Sequence, residues 1–391
     1  MIRSIAISGF KSIVSQTLEL GRINCLIGAN GAGKSNVLEA IGVLGAAANG
    51  KVDDEALLRR GVRPGLPRLY KNSFESDRLP AHIGLSAQSD KAASYKVSLL
   101  NPLENPKPAW SYKTERLQDE LGEIVSDGVR SKRNLTPTAG LAALQLVEVE
   151  PTRPAAQLMG CLQNFAIYSP NTPTLRSMIP DPQSRAPVGL AGGGLAEGFA
   201  GFRKSLLETD DALMDDVLGL IDWVADIQTT TSASALLSPS VARTNEILKF
   251  TDRFMRTNRN TLTAYDASEG ALYVLFCAML CLSPQSPALF AIDNLDQALN
   301  PRLVARLTQR LAAWLALNED KQLIFTAHNP AALDGLDLQD PETRLYAVER
   351  NSEGHTVLQQ IRLTPELLAM NEKYPLSRLW LMGHLGAVPN V

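Results

Sequence analysis

The segment INCLIGANGAGKSNVLEAI, residues 23–41, decides the fold. Its centre, GANGAGKS at residues 28–35, matches the pattern GxxxxGK[ST] in full. The apolar residues 23–27 precede the glycine-rich loop, and residues 35–46 place apolar side chains at helical spacing after it. A strand, a glycine loop and a helix in this order are what a phosphate-binding loop requires. The sequence therefore predicts an α/β fold of the P-loop NTPase class.

The residue types in this loop have separate physical roles. Glycines let backbone N–H groups turn inward around phosphate oxygens, and the following helix adds the positive end of its dipole. Lys34 is predicted to reach the β- and γ-phosphates of ATP, and Ser35 to bind Mg²⁺. The predicted ATP contacts are Gly28, Asn30, Gly31, Ala32, Gly33, Lys34, Ser35 and Asn36.

The second half of the chain supplies the partners that a P-loop needs. The run ALFAID, residues 288–293, is apolar and ends in a carboxylate, so Asp293 is predicted to hold Mg²⁺ together with Ser35. The run LIFTAHNP, residues 323–330, puts His328 at the end of another buried strand, where we predict a γ-phosphate sensor. Strands and helices alternate across residues 271–325, which indicates a parallel sheet.

Taken together, these motifs resemble the ABC-type ATPase heads of the SMC/RecF/OLD branch, in particular the stand-alone AAA "predicted ATPase" group found among anti-phage defence ATPases. Five segments carry the resemblance: IAISGFKSI with the P-loop segment, DASEGALYVLFCAML, IDNLDQALNP, TAHNPAALDGL and LSRLWLMGHLGAVP. The second segment resembles the signature motif, with Ser268, Glu269 and Gly270 in place of the LSGGQ core. The third resembles Walker B running into the D-loop.

The resemblance implies an ABC-ATPase head with an N-terminal mixed β/α nucleotide-binding lobe and a helical signature lobe that carries insertions. In such heads two subunits dimerise head to tail, so Ser268 would contact the γ-phosphate on the P-loop of the partner. Proteins of this group commonly act as sensor or scaffold subunits beside a separately encoded nuclease or toxin. The alternatives are a DNA-repair ATPase like RecF that binds DNA, and a structural scaffold that binds ATP without hydrolysing it.

One position departs from the family pattern. Walker B usually ends in Asp-Glu, where the Glu polarises the attacking water, but this chain has Asn294, which cannot accept a proton at neutral pH. Either hydrolysis is slow and ATP clamps an assembled state, or Asp296 substitutes as the base. The predicted catalytic set is therefore Asp293, Asn294, Asp296 and His328.

The chain is predicted to have three parts. Residues 1–180 form the N-terminal lobe with an inserted hairpin and loop region at about 52–137, residues 181–262 a linker and helical insertion, and residues 263–391 the C-terminal lobe. Within them we expect a hairpin at 82–100, a variable insertion outside the core at 101–137 and a strand at 141–149. We also expect a linker at 180–201 and a helix with an acidic face at 206–224.

Several assignments stay open at this level. Asn171 or Gln163 can stand in for the Q-loop glutamine, although a plain loop is the simpler interpretation of each. Lys11 either approaches the nucleotide or is solvated. Two basic stretches, residues 57–71 and 243–259, either track a phosphate backbone or form a solvated or partner-docking surface.

Composition excludes several classes of protein. The 391 residues carry a net charge of −3, so no global basic footprint points to nucleic acid. The four cysteines form no CxxC pair and the four histidines have no paired spacing, so neither a zinc site nor an HNH or zinc nuclease is indicated. The apolar run at 271–282 is shorter than the ~20 residues that span a bilayer. We predict a cytoplasmic ATPase head without a coiled-coil arm or membrane contact, whose effector is a separate protein.

Overall fold

The computed structural model describes residues 1–75, 82–100, 105–126, 138–209, 212–231, 236–238 and 245–387. Within these ranges the chain forms three β-sheets and eleven α-helices.

The central sheet has six strands and carries the P-loop. In spatial order its strands are β15 (Thr356–Ile361), β14 (Thr343–Arg350), β3 (Ile23–Ile27), β13 (Gln322–Ala327), β12 (Leu289–Ile292) and β8 (Ile167–Tyr168). The pairs from β14 to β8 are parallel, and β15 is antiparallel to β14. Every residue of β3, β12 and β13 is buried, as expected for strands of a parallel sheet covered on both faces. The predicted parallel sheet is confirmed.

A second six-stranded sheet is antiparallel throughout. Its strands, in spatial order, are β2 (Ile13–Glu19), β1 (Ile2–Phe10), β4 (Ile83–Ser89), β5 (Ser94–Leu100), β6 (Ser111–Asp119) and β7 (Gly122–Val125). Its burial alternates along the strands, because only one face packs against the rest of the protein. The predicted hairpin at 82–100 corresponds to β4 and β5.

The P-loop helix α1 (Lys34–Ala48) lies between these two sheets. Thirteen of its residues are buried, so the helix is enclosed by the core on all sides. It packs closely on α4 (Pro154–Asn164): a Cβ on Gly45 would lie 2.5 Å from the carbonyl oxygen of Leu162. The short α2 (Asp54–Leu58) and α3 (Leu141–Gln145) complete this side of the central sheet.

The opposite face of the central sheet is covered by the remaining elements. They are α5 (Thr172–Leu175), α6 (Leu195–Thr209), α7 (Ala212–Leu218), α8 (Glu269–Leu282), α9 (Pro301–Ala316), α10 (Pro365–Asn371), α11 (Leu376–Leu381) and the antiparallel strands β9 (Val224–Thr231), β10 (Glu246–Asp252) and β11 (Thr261–Thr263). Eleven residues of α8 are buried, which makes it the central helix of this layer. Among the helices described, none is both long enough and apolar enough to cross a bilayer.

The prediction that residues 101–137 lie outside the core is wrong for their described part. Strands β6 and β7 extend the antiparallel sheet, although residues 101–104 and 127–137 lie outside the described residues. The sequence pattern concealed β6 because two of its inward positions are acidic, Glu115 and Asp119. Glu115 accepts from the Tyr95 hydroxyl at 2.8 Å, and Asp119 accepts from Arg153 at 2.8 Å. These partners make buried carboxylates compatible with a core face.

The strand expected at 141–149 is a helix instead. Residues 141–145 form α3, and a 3₁₀ turn follows at Leu146–Glu148. Leu141 and Ala142 are buried, whereas Leu144 and Val147 are exposed, which is a helical and not an alternating pattern. The Leu141 N–H donates to Glu115 at 2.6 Å, so this end of the helix depends on a side chain of β6.

Most of residues 180–201 are not a linker: from residue 187 onward the segment is largely part of the core. Val188, Leu195 and Phe199 are buried, and α6 begins inside this range. The small residues allow close packing: a Cβ on Gly198 would lie 2.2 Å from the carbonyl oxygen of Pro187. The helix expected at 206–224 is two helices followed by the start of β9, and the acidic residues 210 and 211 of its predicted face lie outside the described residues.

We predict that Lys321→Met destabilises the fold. Lys321 is 3% exposed, and its ammonium donates to the carbonyl oxygens of Cys281 at 2.8 Å and Ser283 at 2.5 Å, at the end of α8. Methionine fills the space but removes the ammonium that donates to both carbonyls, so the free energy of unfolding should fall by about 2–4 kcal/mol in urea denaturation. Lys204→Met, on an exposed position of α6, is the control and should change it by less than about 0.5 kcal/mol. Equal stability of the two variants would contradict the capping role.

Candidate functional site

The backbone of the P-loop, residues 28–35, depends on its glycines. Gly28, Gly31 and Gly33 have φ angles of 148°, 78° and 113°, which side chains disfavour. A Cβ on Gly28 would lie 2.1 Å from the carbonyl oxygen of Val348, and one on Gly33 would lie 2.1 Å from Thr356 Oγ1. Gly31 instead faces open space. Packing against β14 and β15 thus holds the two ends of the loop, and its middle faces the cleft.

Lys34 lies within the curve of this loop. Its ammonium donates to the carbonyl oxygens of Gly28 at 2.6 Å and Ala29 at 3.1 Å. Burial lowers the pKa of Lys34 to about 8, although the carboxylates of Asp293 and Asp296 act in the opposite direction. The lysine is therefore charged at neutral pH and held by carbonyl oxygens, which phosphate oxygens can replace.

Ser35 and Asp293 meet at the carboxyl ends of β3 and β12. The Ser35 hydroxyl donates to Asp293 Oδ2 at 2.9 Å. The other carboxylate oxygen, Oδ1, accepts from the Thr326 hydroxyl at 2.6 Å. Thr326 is buried on β13 and was not singled out from the sequence, since a threonine inside an apolar strand carries no distinctive signal. The structure thus brings the two predicted Mg²⁺ ligands together and adds a residue that orients one of them.

Asn294 and His328 form the next layer of the site. Asn294 has φ 56°, a left-handed conformation that asparagine tolerates better than most residues. His328 Nε2 lies 3.1 Å from Asn294 Oδ1, and an amide oxygen only accepts, so the neutral ring carries its proton on Nε2. Burial and the nearby Lys34 lower the pKa of His328, which keeps the ring neutral at pH 7. Its Nδ1 lies 3.5 Å from Lys34 Nζ.

Asp296 supports the loop that carries His328. Its Oδ2 accepts from the backbone N–H of His328 at 2.8 Å and also from that of Asn329. A carboxylate engaged by two backbone donors is suited to holding the loop in place. The contacts favour a positioning role for Asp296 over that of a general base.

The P-loop borders a cleft of about 380 Å³. The cleft is lined by Asn30, Gly31, Gly33, Lys34, Ser35, Asn36, Arg63, Asn294, His328 and Arg350. Gly28 and Ala32, also predicted as ATP contacts, instead offer carbonyl oxygens to Lys34 and to the Thr356 hydroxyl. Arg63 and Arg350 were not predicted; Arg63 belongs to the first basic stretch, whereas Arg350 follows from no local pattern.

Glu39 of α1 holds two cations beside the cleft. It is 2% exposed, pairs with Lys11, and accepts from Arg63 Nε at 2.5 Å. Burial alone would raise the pKa of Glu39, but the two cations outweigh it and lower that pKa. Lys11, which the sequence left open, is therefore an ion-pair partner beside the cleft.

A cavity of about 510 Å³ adjoins the cleft and shares Asn36, Arg63 and Arg350 with it. Tyr70 and Phe74 add aromatic side chains to its wall. Cleft and cavity together form a continuous depression with cationic and aromatic groups.

The signature residues lie away from this cleft. Ser268 is exposed and caps α8 by accepting from the Ala271 N–H at 3.4 Å; Glu269 and Gly270 begin the helix. Trp223, which sequence reasoning missed, donates through its indole N–H to the Ser268 hydroxyl at 3.3 Å. The three signature residues are not among those that line the P-loop cleft of the same chain.

Neither Q-loop candidate lines the cleft. Asn171 caps α5 by accepting from the Thr174 N–H at 3.1 Å. Gln163 donates to the carbonyl oxygen of Ala48, at the end of α1 away from the P-loop. Both have local structural roles.

Three arginines of the first basic stretch, residues 57–71, are buried or bonded to other groups of the protein. Arg60 is 4% exposed, Arg63 pairs with Glu39, and Arg59 pairs with Glu55. The second stretch includes the exposed turn between β10 and β11, while residue 243 lies outside the described residues. Within this stretch, Arg59 and Arg63 are therefore already engaged by carboxylates, and Arg60 is too buried to track a phosphate backbone.

The donor set fits Mg²⁺ bound together with a nucleotide. Magnesium usually takes one or two protein oxygens and completes its shell with phosphate oxygens and water. Ser35 Oγ and Asp293 Oδ2 supply two such oxygens at the mouth of the P-loop. The described residues contain no group of three or more His, Cys, Asp or Glu side chains that would hold a metal by themselves.

The fold and this cleft define a P-loop NTPase with the architecture of an ABC-type ATPase head. More particularly, residues 23–132 and 202–334, over half of the chain, match the family described as "AAA domain, putative AbiEii toxin, Type IV TA system". The chain belongs to this family, which implies that it binds a nucleotide. Among curated proteins, none matches the chain in sequence.

Solved structures confirm the architecture. An SMC head bound to the C-terminal winged-helix domain of ScpA is 12% identical, with a TM-score of 0.55, covering 93% of this chain and 98% of that one. An SMC head with an extended coiled coil, bound to the C-terminal domain of ScpA derived from Pyrococcus furiosus, is 11% identical, with a TM-score of 0.50 and coverage of 95% and 99%. The predicted resemblance to SMC-type ATPase heads is confirmed for the fold.

We predict that the affinity for MgATP falls as the pH rises from 7 to 9. The pKa of Lys34 is about 8 in the free protein, so the ammonium is mostly charged at pH 7 and mostly neutral at pH 9. If the charged form binds phosphate, the dissociation constant should rise about tenfold over this range in calorimetric titrations. Lys34→Ala should bind weakly at both pH values without this rise. A similar rise of the dissociation constant in Lys34→Ala would show that a group other than Lys34 causes the pH dependence.

Proposed function

We propose that this protein binds ATP with Mg²⁺ in the P-loop cleft and hydrolyses it slowly. The observation that carries the proposal is the convergence of Lys34, Ser35, Asp293 and His328 at the carboxyl ends of three neighbouring parallel strands. Ligands of open α/β sheets bind at this edge. The Lys34 ammonium and the N-terminus of α1 would hold the phosphates, and the adjoining cavity has room for the ribose and base.

Ser35 and Asp293 would hold Mg²⁺, which neutralises charge on the phosphate oxygens when bound. Thr326 keeps the Asp293 carboxylate oriented, and Asp296 keeps His328 at the cleft. His328 then presents its unprotonated Nδ1 toward Lys34, near the expected position of the γ-phosphate.

Slow turnover follows from Asn294, the residue at the position where the family's glutamate polarises the attacking water. The Asn294 amide cannot take a proton, and its oxygen already accepts from His328. Asp296 is engaged by two backbone donors, which supports positioning over base catalysis. ATP would therefore persist long enough to act as a clamp.

The clamp would join two copies head to tail. Ser268 is exposed at the N-terminus of α8, where a helix dipole and a hydroxyl can meet a phosphate presented by a second copy. Its position outside the cleft of its own chain supports action in trans. Trp223 would hold the Ser268 hydroxyl in place from the same surface.

In the cell, we propose a cytoplasmic sensor or scaffold subunit for a separately encoded effector, a nuclease or a toxin, in prokaryotic anti-phage defence. The family description names a toxin of type IV toxin–antitoxin systems, which supports a role beside a partner gene product. The two SMC heads described above were solved with domains of a partner protein, which supports partner docking on such a head.

The assembly step is tested with a charged signature residue. Ser268→Asp keeps a residue that caps helices well but places a carboxylate opposite the γ-phosphate of the second copy. It should bind MgATP like wild type yet remain monomeric in mass photometry, whereas wild type should form an ATP-dependent dimer or larger oligomer. Lys34→Ala should neither bind nor assemble. ATP-dependent assembly of Ser268→Asp equal to that of wild type would reject the head-to-tail arrangement.

The proposal that turnover is slow because position 294 lacks a glutamate is tested by introducing one. Asn294→Glu should increase phosphate release at least tenfold, because a positioned general base typically contributes ~10²–10⁴-fold. Asp296→Asn is the matched variant: it retains an acceptor for the His328 loop but lacks a basic carboxylate, so it should leave the slow rate within about twofold. An unchanged rate in Asn294→Glu, with the fold intact, would reject the proposed cause of slow turnover. Loss of the residual rate in Asp296→Asn would make Asp296 the base.

A further inference from the structure

A separate cavity of about 800 Å³ lies at the other end of α1 from the P-loop. Lys34 begins α1 at the cleft, and Asn49, which caps the end of the helix, lines the cavity. Fifteen helical residues span about 22 Å, so the two places are well separated. Leu158 and Cys161 of α4 form part of an apolar wall. Within the described residues, this cavity and the P-loop cleft share no lining residue.

Arg59, Arg60 and Arg185 line this cavity. Arg59 pairs with Glu55, so the guanidinium groups of Arg60 and Arg185 are the ones considered as anion ligands. Arg60 is 4% exposed and donates to the carbonyl oxygens of Ala56 at 2.9 Å and Gln163 at 2.8 Å, while its Nε has no hydrogen-bond partner. Arg185 is partly exposed and donates to the carbonyl oxygens of Arg59 and Asn164. Burial and the neighbouring Arg185 lower the pKa of Arg60 to about 10, which leaves it charged at neutral pH.

The nearby carboxylates do not neutralise these two charges. Asp90 pairs with the amino group of Met1 at 2.9 Å, and Asp320 is exposed at the rim. Within the part of the chain that the structure describes, neither Arg60 nor Arg185 forms an ion pair. A buried charge without a counter-charge is costly, so an anion in this cavity would be stabilised strongly.

We propose that this cavity binds a small organic phosphate, with the phosphate group between Arg60 and Arg185 and the organic part toward the apolar wall. A phosphate monoester carries about −1.5 to −2 charges at pH 7, which matches two guanidinium groups better than a single carboxylate does. Guanidinium also suits the geometry of phosphate oxygens. The cavity has about twice the volume of the P-loop cleft, which leaves room for more than an inorganic ion. This inference does not depend on the proposed ATPase function.

The test uses full-length protein with Lys34→Ala, so that the P-loop contributes little phosphate binding. Ribose 5-phosphate is titrated by calorimetry, with ribose and inorganic phosphate as comparison probes. Ribose 5-phosphate should bind saturably and more tightly than inorganic phosphate, and ribose should not bind. Adding Arg185→Gln should weaken binding about tenfold or more, because it removes one charge-assisted contact. Arg116→Gln is the matched control, since Arg116 pairs with Glu123 and is not among the residues that line the cavity, and should change the affinity less than about twofold.

Arg185 is the residue substituted in the test because it is partly exposed, whereas Arg60 is 4% exposed and its replacement would also disturb the core. Ribose 5-phosphate should also raise the melting temperature of the Lys34→Ala protein but not that of the Arg185→Gln double variant. Binding that is unchanged by Arg185→Gln would overturn the site. Equal affinity for inorganic phosphate and ribose 5-phosphate would overturn the assignment of an organic ligand.

Discussion

Parallel pairing of β3 with β13 and β14 is the constraint on which the rest of this structure depends. Ile27, the last residue of β3, lies opposite Ala327 of β13, so the P-loop and His328 leave the sheet side by side. Ile292 of β12 lies opposite Phe325, which places Asp293 next to Thr326. A one-residue slip in a strand would turn its side chains to the other face and separate these groups. The site therefore exists only in this register.

The fold also buries several charged side chains, and most of them contact an opposite charge or carbonyl oxygens. Glu39 has Lys11 and Arg63, Asp119 has Arg153, and the ammonium of Lys321 meets the carbonyl oxygens at the end of α8. These contacts join residues that are far apart in sequence, so they help to specify which elements pack together. The cavity at the far end of α1 contrasts with them, since Arg60 and Arg185 donate to carbonyl oxygens there and form no ion pair within the described residues.

The sequence predicted elements well where a local pattern was sufficient. The P-loop helix, the hairpin at 82–100 and the apolar runs that form the buried strands of the second half have clear local patterns, and the structure contains them. Prediction failed where tertiary contacts overrode the pattern. Inward-facing Glu115 and Asp119 concealed β6, and glycine-rich residues 180–201 resembled a linker because small residues also allow close packing.

By itself, the sequence determined the P-loop and the acid, amide and histidine that accompany it, because each follows an apolar strand at a recognisable position. Only the tertiary structure decided that Thr326 orients Asp293, that Asp296 supports the loop of His328, and that Arg63 and Arg350 reach the cleft. The reason is physical. Backbone preferences and periodicity act between neighbours in the chain, whereas hydrogen bonds and charge compensation depend on distances that strand pairing sets between residues hundreds of positions apart.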